Sequence, residues 1–110
     1  MSEAVAYKIL GQDEFAAWQR DGIYTGSSAD EADGFIHLSA GSQVASTVER
    51  YYRDQLDLVL AAIDLPQLGN KVRWEPASNG QLYPHVYGSL PIASVTASMP
   101  LSDGLAKLQP

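Results

Sequence analysis

The chain has 110 residues, enough for one modest hydrophobic core, so we predict a single domain over residues 1–110. Hydrophobic residues make up 45% and charged residues 18% of it, which is typical of a folded globular protein and argues against a disordered one. No cysteine is present, which excludes disulfides, thiolate nucleophiles and cysteine-rich zinc sites.

The charge balance bears on the choice of partners. Thirteen acidic and seven basic residues give a net charge of −6. Nucleic-acid binding draws on clustered lysine and arginine, and the nearest approach to a cluster is Arg50 with Arg53, so we expect no nucleic-acid partner.

No apolar run is long enough to cross a bilayer, and Met1-Ser2-Glu3 does not begin a signal sequence. We therefore expect a cytoplasmic protein with no membrane partner.

The first elements in chain order are a strand and a helix. Residues 7–10 suggest the strand. Residues 13–20 begin with acidic side chains, place two aromatic residues three apart, and are followed by the stop signal Asp21-Gly22, which together predict a short helix. Residues 23–28 follow as a brief extended piece that ends in turn residues.

A strand and a second helix come next. Residues 35–38 form a short apolar strand interrupted by a histidine. Ser39 or Ser42 can cap a helix after it, because apolar positions then recur at helical spacing from Val44 onward. We expect this helix to end near Asp54.

The second half of the chain predicts strands. Residues 56–63 are almost continuously apolar, as a central strand covered on both faces would be. Residues 71–75 and 81–87 flank the turn signal Asn79-Gly80 and predict a hairpin, which Pro76 and Pro84 should make irregular or confine to a sheet edge. With a last strand near residues 93–99, the prediction is an α+β domain with a mostly antiparallel twisted sheet of five or six strands and two helices.

The two histidines of the chain are the first candidates for chemistry. Alternation puts His37 and Ser39 on one face of their strand. One interpretation of His37 is a half-buried core histidine bonded to neighbouring backbone; the other is ligand binding. His85 lies in a second predicted strand, where Tyr83 and Tyr87 share its face.

The predicted hairpin places further polar groups nearby. Arg73 and Glu75 lie off its core face, so polar groups from three strands can meet on one side of the sheet. Such a cleft offers imidazoles as donors or acid/base groups, phenol rings for stacking, and a carboxylate to hold a sugar hydroxyl or steer a proton. The alternative is a solvated face, with the tyrosines covering the core.

Other chemistries have less support in the sequence. Neither a His-x-His nor a His-x-x-x-His spacing is present, so we expect no metal. No Gly-x-Ser-x-Gly elbow supports a serine hydrolase, and no Gly-x-x-x-x-Gly-Lys loop supports nucleotide binding of the P-loop kind.

Segments spread through nearly the whole chain resemble the bacterial domain-of-unknown-function family DUF952. They are residues 7–9, 22–27, 33–39, 73–75 and 84–90. Ser89 departs from the pattern, since some members of the family carry proline there. The resemblance implies a compact α+β fold grouped distantly with ADP-ribosyltransferase-like domains, and NAD or an ADP-ribose-like molecule as the small-molecule ligand.

The resemblance also implies roles for individual residues. His37 and Ser39 would hold a ribose, and Tyr24 or Tyr87 would stack on nicotinamide. Glu75 is the analogue of a late glutamate that binds a ribose hydroxyl and supports the departure of nicotinamide, although its surroundings do not reproduce a recognised signature. The implied activity is ADP-ribosyl transfer or NAD glycohydrolysis, with Glu75 and His85 as catalytic candidates. The alternative is a non-catalytic module that binds a small metabolite or a peptide in the same cleft.

Overall fold

The computed structural model describes residues 4–108. In chain order its helices and strands are β1 (Val5–Gly11), α1 (Gln12–Asp21), β2 (Ile23–Tyr24), α2 (Ser28–Asp33), β3 (Ile36–His37), α3 (Val44–Tyr51), β4 (Leu58–Asp64), β5 (Val72–Pro76), β6 (Leu82–Val86), β7 (Leu90–Pro91), β8 (Val95–Pro100) and α4 (Leu101–Leu108). Short 3₁₀ segments lie at Gly41–Gln43, Leu65–Lys71 and Ile92–Ser94.

The strands pair in three antiparallel sheets. Their orders are β1-β4-β8, β2-β7 and β3-β6-β5. A two-way backbone bridge joins the first sheet to the chain that follows β3: Tyr7 donates to the Ser39 carbonyl at 2.8 Å, and Ser39 donates to the Tyr7 carbonyl at 2.9 Å. This bridge brings β1 beside the strand that carries His37.

Strand β4 lies between two hydrophobic clusters, as its almost unbroken apolar sequence predicts. Val59, Ala61 and Ile63 pack into one cluster, and Leu58 and Leu60 pack into the other. Successive side chains of a strand point to opposite faces, so a strand covered on both sides must be apolar throughout. The prediction of a central strand and an antiparallel α+β domain is confirmed. Residues 4–108 form eight strands in three sheets, where five or six strands in one sheet were expected.

The helix count is higher than predicted. Helices α1 and α3 correspond to the two expected ones, and α2 and α4 are additional. The proposed serine caps are wrong, because Gln43 precedes α3 and makes no side-chain cap, while the Ser39 hydroxyl bonds to that of Thr47 at 3.1 Å. Among residues 4–108 no helix has the length and apolar character needed to cross a membrane. The cytoplasmic location stays a prediction.

The hairpin differs from expectation in its position. Strand β5 is an edge strand, but β6 lies in the middle of its sheet despite Pro84. Proline lacks the N–H that a ladder needs, and here the Pro84 carbonyl still accepts a hydrogen bond from Leu38 at 3.0 Å. The expected turn is present, with Gly80 at a φ of 83°. The middle position brings His85 directly opposite His37.

A close contact between α4 and β4 gives a stability test. Gly104 is buried, and a Cβ built on it would lie 3.2 Å from the Cβ of Leu60, which is itself 1% exposed. We expect Gly104→Ala to lower the free energy of unfolding by about 1–2 kcal/mol, because the crowding outweighs the roughly 1 kcal/mol gain in helix propensity. Urea denaturation measures it, and the exposed Ser102→Ala on the same helix is the control, expected within about 0.5 kcal/mol. A stabilised Gly104→Ala variant would contradict the packing.

Candidate functional site

A cavity of about 600 Å³, here called the histidine cleft, opens beside β3 and β6. That volume falls in the range of small-molecule sites, roughly 300–1,000 Å³. Its aromatic lining residues are Tyr7, Phe35, Tyr51, Tyr52 and Tyr83. Its polar lining residues include Lys8, Ser27, Asp30, Asp33, His37, Ser39, Ser46, Thr47, Arg50, Ser78 and His85.

The wall of the histidine cleft is built around the buried carboxylate of Asp30, which is 2% exposed. Its Oδ2 accepts from the Lys8 ammonium at 2.8 Å and from the Ser27 backbone N–H at 2.9 Å. Its Oδ1 accepts from the His37 backbone N–H at 3.1 Å and from His37 Nδ1 at 2.6 Å. A carboxylate this far from water needs such a set of donors.

Local sequence explains why Asp30 lies there. Ser27 and Asp30 form a capping box at the start of α2: the Ser27 hydroxyl accepts from the Asp30 N–H at 3.1 Å, while the Asp30 carboxylate accepts from the Ser27 N–H. Gly26 precedes them with a φ of 113°, and a Cβ there would lie 2.8 Å from the Cβ of Asp30. Gly34 ends the helix in the left-handed conformation. This six-residue helix exists chiefly to place one carboxylate.

Opposing effects set the charge of this network. Burial by itself raises the pKa of Asp30, but the hydrogen bond from His37 and the Lys8 ammonium more than offset it, so the pKa lies well below its ordinary value. Burial lowers the pKa of Lys8, and the Asp30 carboxylate opposes that effect. Asp30 is therefore an anion at neutral pH, and it can only accept hydrogen bonds.

The Asp30 carboxylate orients His37. Since the carboxylate only accepts, His37 Nδ1 must carry the proton. The second ring nitrogen, Nε2, lies 3.0 Å from Oδ2 of Asp33, whose side chain is 55% exposed. The His37 side chain is itself 40% exposed, so it is half-buried, and its ring contacts two carboxylates where the core interpretation expected neighbouring backbone.

His85 repeats the arrangement on the neighbouring strand. Its Nδ1 lies 2.7 Å from Oε1 of Glu75, which also accepts from the Tyr87 hydroxyl at 2.7 Å. The hydrogen bond from His85, followed by that from Tyr87, lowers the pKa of Glu75, and the bond to Glu75 raises the pKa of Tyr87. The His37 and His85 ring centroids lie 5.5 Å apart, edge to face, and Phe35 stacks on His85 at 4.0 Å.

The second ring nitrogen of His85, Nε2, has no hydrogen-bond partner in the described chain. Within residues 4–108 every buried side-chain polar atom except the Tyr24 hydroxyl has such a partner. Nε2 is therefore not fully buried and retains accessible surface, although the His85 side chain as a whole is only 10% exposed. His85 lines the cleft, while its partner Glu75 does not.

The candidates from the sequence separate into two groups. His37, Ser39 and His85 line the histidine cleft together. Glu75 and Tyr87 are outside its lining, and Glu75 reaches it only through the imidazole of His85.

Tyr24 lies in the hydrophobic core. It is 7% exposed and its ring stacks on that of Trp18, with 5.1 Å between centroids. Burial raises the pKa of its hydroxyl, which has no partner. Because Trp18 and the surrounding core cover the ring, Tyr24 cannot stack on a ligand in the histidine cleft. The aromatic rings that can do so are those of the cleft lining.

Sequence reasoning missed Lys8, Asp30, Asp33 and Arg50. Two signals were present: the pattern Ser27-x-x-Asp30, which is typical of a capping box, and a lone lysine inside an apolar strand. The partner of Lys8 is 22 positions away and depends on the packing of α2 against β1. Within the described residues no group of three or more His, Cys, Asp or Glu side chains is arranged to hold a metal ion.

Comparison with known proteins supports the resemblance to the DUF952 family. A family model described as "Protein of unknown function (DUF952)" matches residues 9–98. The X-ray crystal structure of protein CC0527 from Caulobacter crescentus is similar to the chain, with a TM-score of 0.86 and 38% identity, covering 93% of this chain and 98% of that one. The solution NMR structure of CC0527 has a TM-score of 0.80 and 40% identity, covering 89% of this chain and 84% of that one. No curated protein matches the chain.

The buried network gives a pH-dependent stability test. We expect Asp30→Asn to lower the free energy of unfolding at pH 7 by about 3 kcal/mol, because it leaves the buried Lys8 ammonium without its anion. The Asp30 pKa is lower in the folded than in the unfolded chain. The contribution of ionised Asp30 to the free energy of unfolding is thus complete above its pKa in the unfolded chain, about 4. That contribution is lost as the pH falls through its pKa in the folded chain.

The difference in the free energy of unfolding between wild type and Asp30→Asn should therefore be constant from pH 7 to about pH 5 and become smaller below about pH 4. Urea denaturation at several pH values measures it. Asp21→Asn is the matched control, since Asp21 is 56% exposed and should cost less than about 0.5 kcal/mol at every pH. A difference that stays constant down to pH 3 would contradict the ionised Asp30.

Proposed function

The chain belongs to the DUF952 family of proteins of unknown function, and from its geometry we propose that the histidine cleft binds a ribonucleotide of the NAD or ADP-ribose class. One observation carries the proposal. Two imidazoles, each with Nδ1 held by a carboxylate, lie 5.5 Å apart beside an aromatic-lined cavity of about 600 Å³. Such a cavity, with a few convergent polar groups, is the usual form of a small-molecule site.

The imidazoles and nearby hydroxyls suit a ribose. With both Nδ1 atoms engaged, His85 Nε2 is left for a ligand, and His37 Nε2 becomes available when the exposed Asp33 side chain moves away from it. Ser39 and Thr47 add a bonded pair of hydroxyls on the same cavity. Because Thr47 donates to the Gln43 carbonyl at 2.9 Å, Ser39 donates to Thr47, and both hydroxyl oxygens are left as acceptors for a ligand hydroxyl. A ribose presents hydroxyls of the same kind, so His37 and Ser39 keep the ribose-binding role that the resemblance implies.

The nucleobase or nicotinamide ring needs an aromatic surface. Tyr24 is buried and Tyr87 lies outside the cleft lining, so neither supplies it. Tyr51 and Tyr83 do line the cleft, and Tyr51 is 66% exposed. Offset stacking on such rings stabilises a bound aromatic group by about 1 kcal/mol beyond the area buried. We assign the stacking role to these two tyrosines.

The resemblance adds an activity, NAD glycohydrolysis or ADP-ribosyl transfer. In that reaction a carboxylate stabilises positive charge at the sugar carbon as nicotinamide leaves. Glu75 stands behind His85, so its part is to fix the His85 imidazole and to make it the better acceptor. His85 is then the group of this pair that touches the ligand.

A second candidate, a non-catalytic binding module, is favoured by the placement of the carboxylates. Of the carboxylates in the described chain, only Asp30 and Asp33 line the cleft. Asp30 is fully occupied by its four donors. A cleft whose buried carboxylate serves structure can bind a nucleotide without cleaving it.

Isothermal titration tests the binding proposal. We expect heat on titration with NAD or ADP-ribose, and a loss of affinity of at least about tenfold in His37→Ala, because a hydrogen bond in a partly buried site contributes about 1.4 kcal/mol. Tyr24→Phe is the control: it removes only the unpartnered core hydroxyl and should bind as wild type does. The absence of heat with NAD, nicotinamide and ADP-ribose would end the proposal.

Release of nicotinamide distinguishes the enzyme from the module. If the chain cleaves NAD, chromatography detects free nicotinamide, and Glu75→Gln slows its release by about 100-fold because His85 loses its orienting anion. Tyr87→Phe, which removes one hydrogen bond to Glu75 but keeps the carboxylate, should slow release by less than about tenfold. NAD binding without detectable nicotinamide would establish the module instead.

A further inference from the structure

We propose that the histidine cleft hydrolyses a ribonucleoside 2′,3′-cyclic phosphate, with His85 as general base and His37 as general acid. The proposal uses the same cleft but needs no NAD. It rests on the paired imidazoles, on their different hydrogen-bond partners, and on a free cation at the cleft. None of these features depends on the family resemblance.

His85 has the hydrogen bonding of a base. Glu75 is an anion, so His85 Nδ1 donates to it and Nε2 carries the lone pair. That Nε2 makes no hydrogen bond in the described chain and retains accessible surface, and His85 is one of the residues that line the cleft. Phe35 stacks on the ring and holds its plane. A fixed imidazole with a free lone pair accepts a proton from water bound in the cleft.

His37 has the hydrogen bonding of an acid. Its Nδ1 donates to Asp30, and its Nε2 lies 3.0 Å from the Asp33 carboxylate. In its doubly protonated form this imidazole can donate a proton from Nε2. The exposed Asp33 can withdraw, which leaves the Nε2 proton facing the cleft. In this arrangement Asp33 stands in for the anionic group of a substrate.

The two rings are close enough for one ligand group to touch both. Their centroids are 5.5 Å apart, edge to face, which is contact distance for two rings. A phosphoryl group therefore lies against the cleft side of the two imidazoles and not between them. The antiparallel pairing of β3 with β6 fixes this spacing, because His37 and His85 are direct partners in the ladder.

Arg50 supplies charge for the phosphate. It lines the cleft from α3, next to the hydroxyls of Ser46 and Thr47. In the part of the chain that the structure describes, the arginines that pair with carboxylates are Arg20 and Arg53. The Arg50 guanidinium is therefore available to a phosphate, which it can bind with two hydrogen bonds.

The proposed step balances without a cofactor. Water attacks phosphorus and gives its proton to His85 Nε2, and a bond forms between the water oxygen and phosphorus. The bond from phosphorus to the 2′ or 3′ ribose oxygen breaks, and that oxygen takes the proton from His37 Nε2. The product is a phosphomonoester with one free ribose hydroxyl, and the imidazoles return to their starting states by proton exchange with solvent.

Several charged or titratable groups surround the two imidazoles. On the side of His37 they are Asp30, Asp33 and Lys8; on the side of His85 they are Glu75, Arg73 and Tyr87. Loss of either histidine removes one of the two proton transfers. We expect a bell-shaped pH profile of kcat/KM for the wild type, with one limb lost in each single variant.

The test is incubation of the purified chain with 2′,3′-cyclic AMP and chromatographic detection of adenosine monophosphate. We expect His85→Gln to lose the acidic limb of the profile and His37→Gln to lose the alkaline limb, each with at least about a 100-fold lower kcat/KM. Circular dichroism checks that both variants are folded. Arg50→Ala provides a second readout on a surface residue, with KM raised about fivefold or more and kcat little changed.

Arg53→Ala is the matched control for Arg50, since Arg53 is 74% exposed and lies outside the cleft lining. It should leave both constants unchanged. The absence of monophosphate after prolonged incubation with folded wild-type protein would overturn the proposal. So would hydrolysis that persists at the wild-type rate in both histidine variants. Hydrolysis by a chain that gives no heat with NAD would uphold this inference and remove only the NAD proposal.

Discussion

The fold around the site depends on one buried anion, the carboxylate of Asp30. It joins three parts of the chain that are distant in sequence: β1 through Lys8, the start of α2 through Ser27, and β3 through both the backbone and the ring of His37. A buried ion pair loses much of its Coulomb attraction to desolvation, so its net contribution to stability is small even when breaking it is costly. The contribution of Asp30 is positional. Four donors hold its carboxylate in place, and the carboxylate in turn holds the imidazole of His37 in place.

The second carboxylate–histidine pair, Glu75 with His85, differs from the first in the burial of its carboxylate. Glu75 is partly exposed and Asp30 is not, yet each holds the Nδ1 of its histidine. The pairing of β3 with β6 then sets the two rings side by side. Two imidazoles with the same internal orientation but different outer surroundings are the usual basis for dividing acid and base roles between like groups. His37 and His85 are the same residue type and differ in their burial and in the carboxylate that each one contacts.

The sequence predicts the parts of this arrangement that depend on local pattern. The run over β4 must be buried on both faces, and alternation correctly places His37 with Ser39 and His85 with Tyr83 on the cleft side. Helices α2 and α4 were not predicted from the sequence, and each has a physical reason. Helix α2 is too short to show a period, and α4 contains Gly104, whose low helix propensity masks an apolar spacing of three and four residues. The Lys8–Asp30 pair and the burial of Tyr24 depend on which elements pack together, and no local pattern contains that information.

The two carboxylates around His37 have different freedom, and this difference bears on how a ligand enters. Asp30 cannot leave, because moving it would strand the Lys8 ammonium in a site that is 4% exposed. Asp33 lies at the end of α2 beside the left-handed Gly34, with a largely exposed side chain whose contact with His37 competes with water. His37 thus has one permanent anionic partner that orients it and one that a ligand anion can replace at little cost. A histidine held in this way is prepared for an anion before the ligand arrives, and replacing Asp33 by a phosphate oxygen would leave the Asp30 network intact.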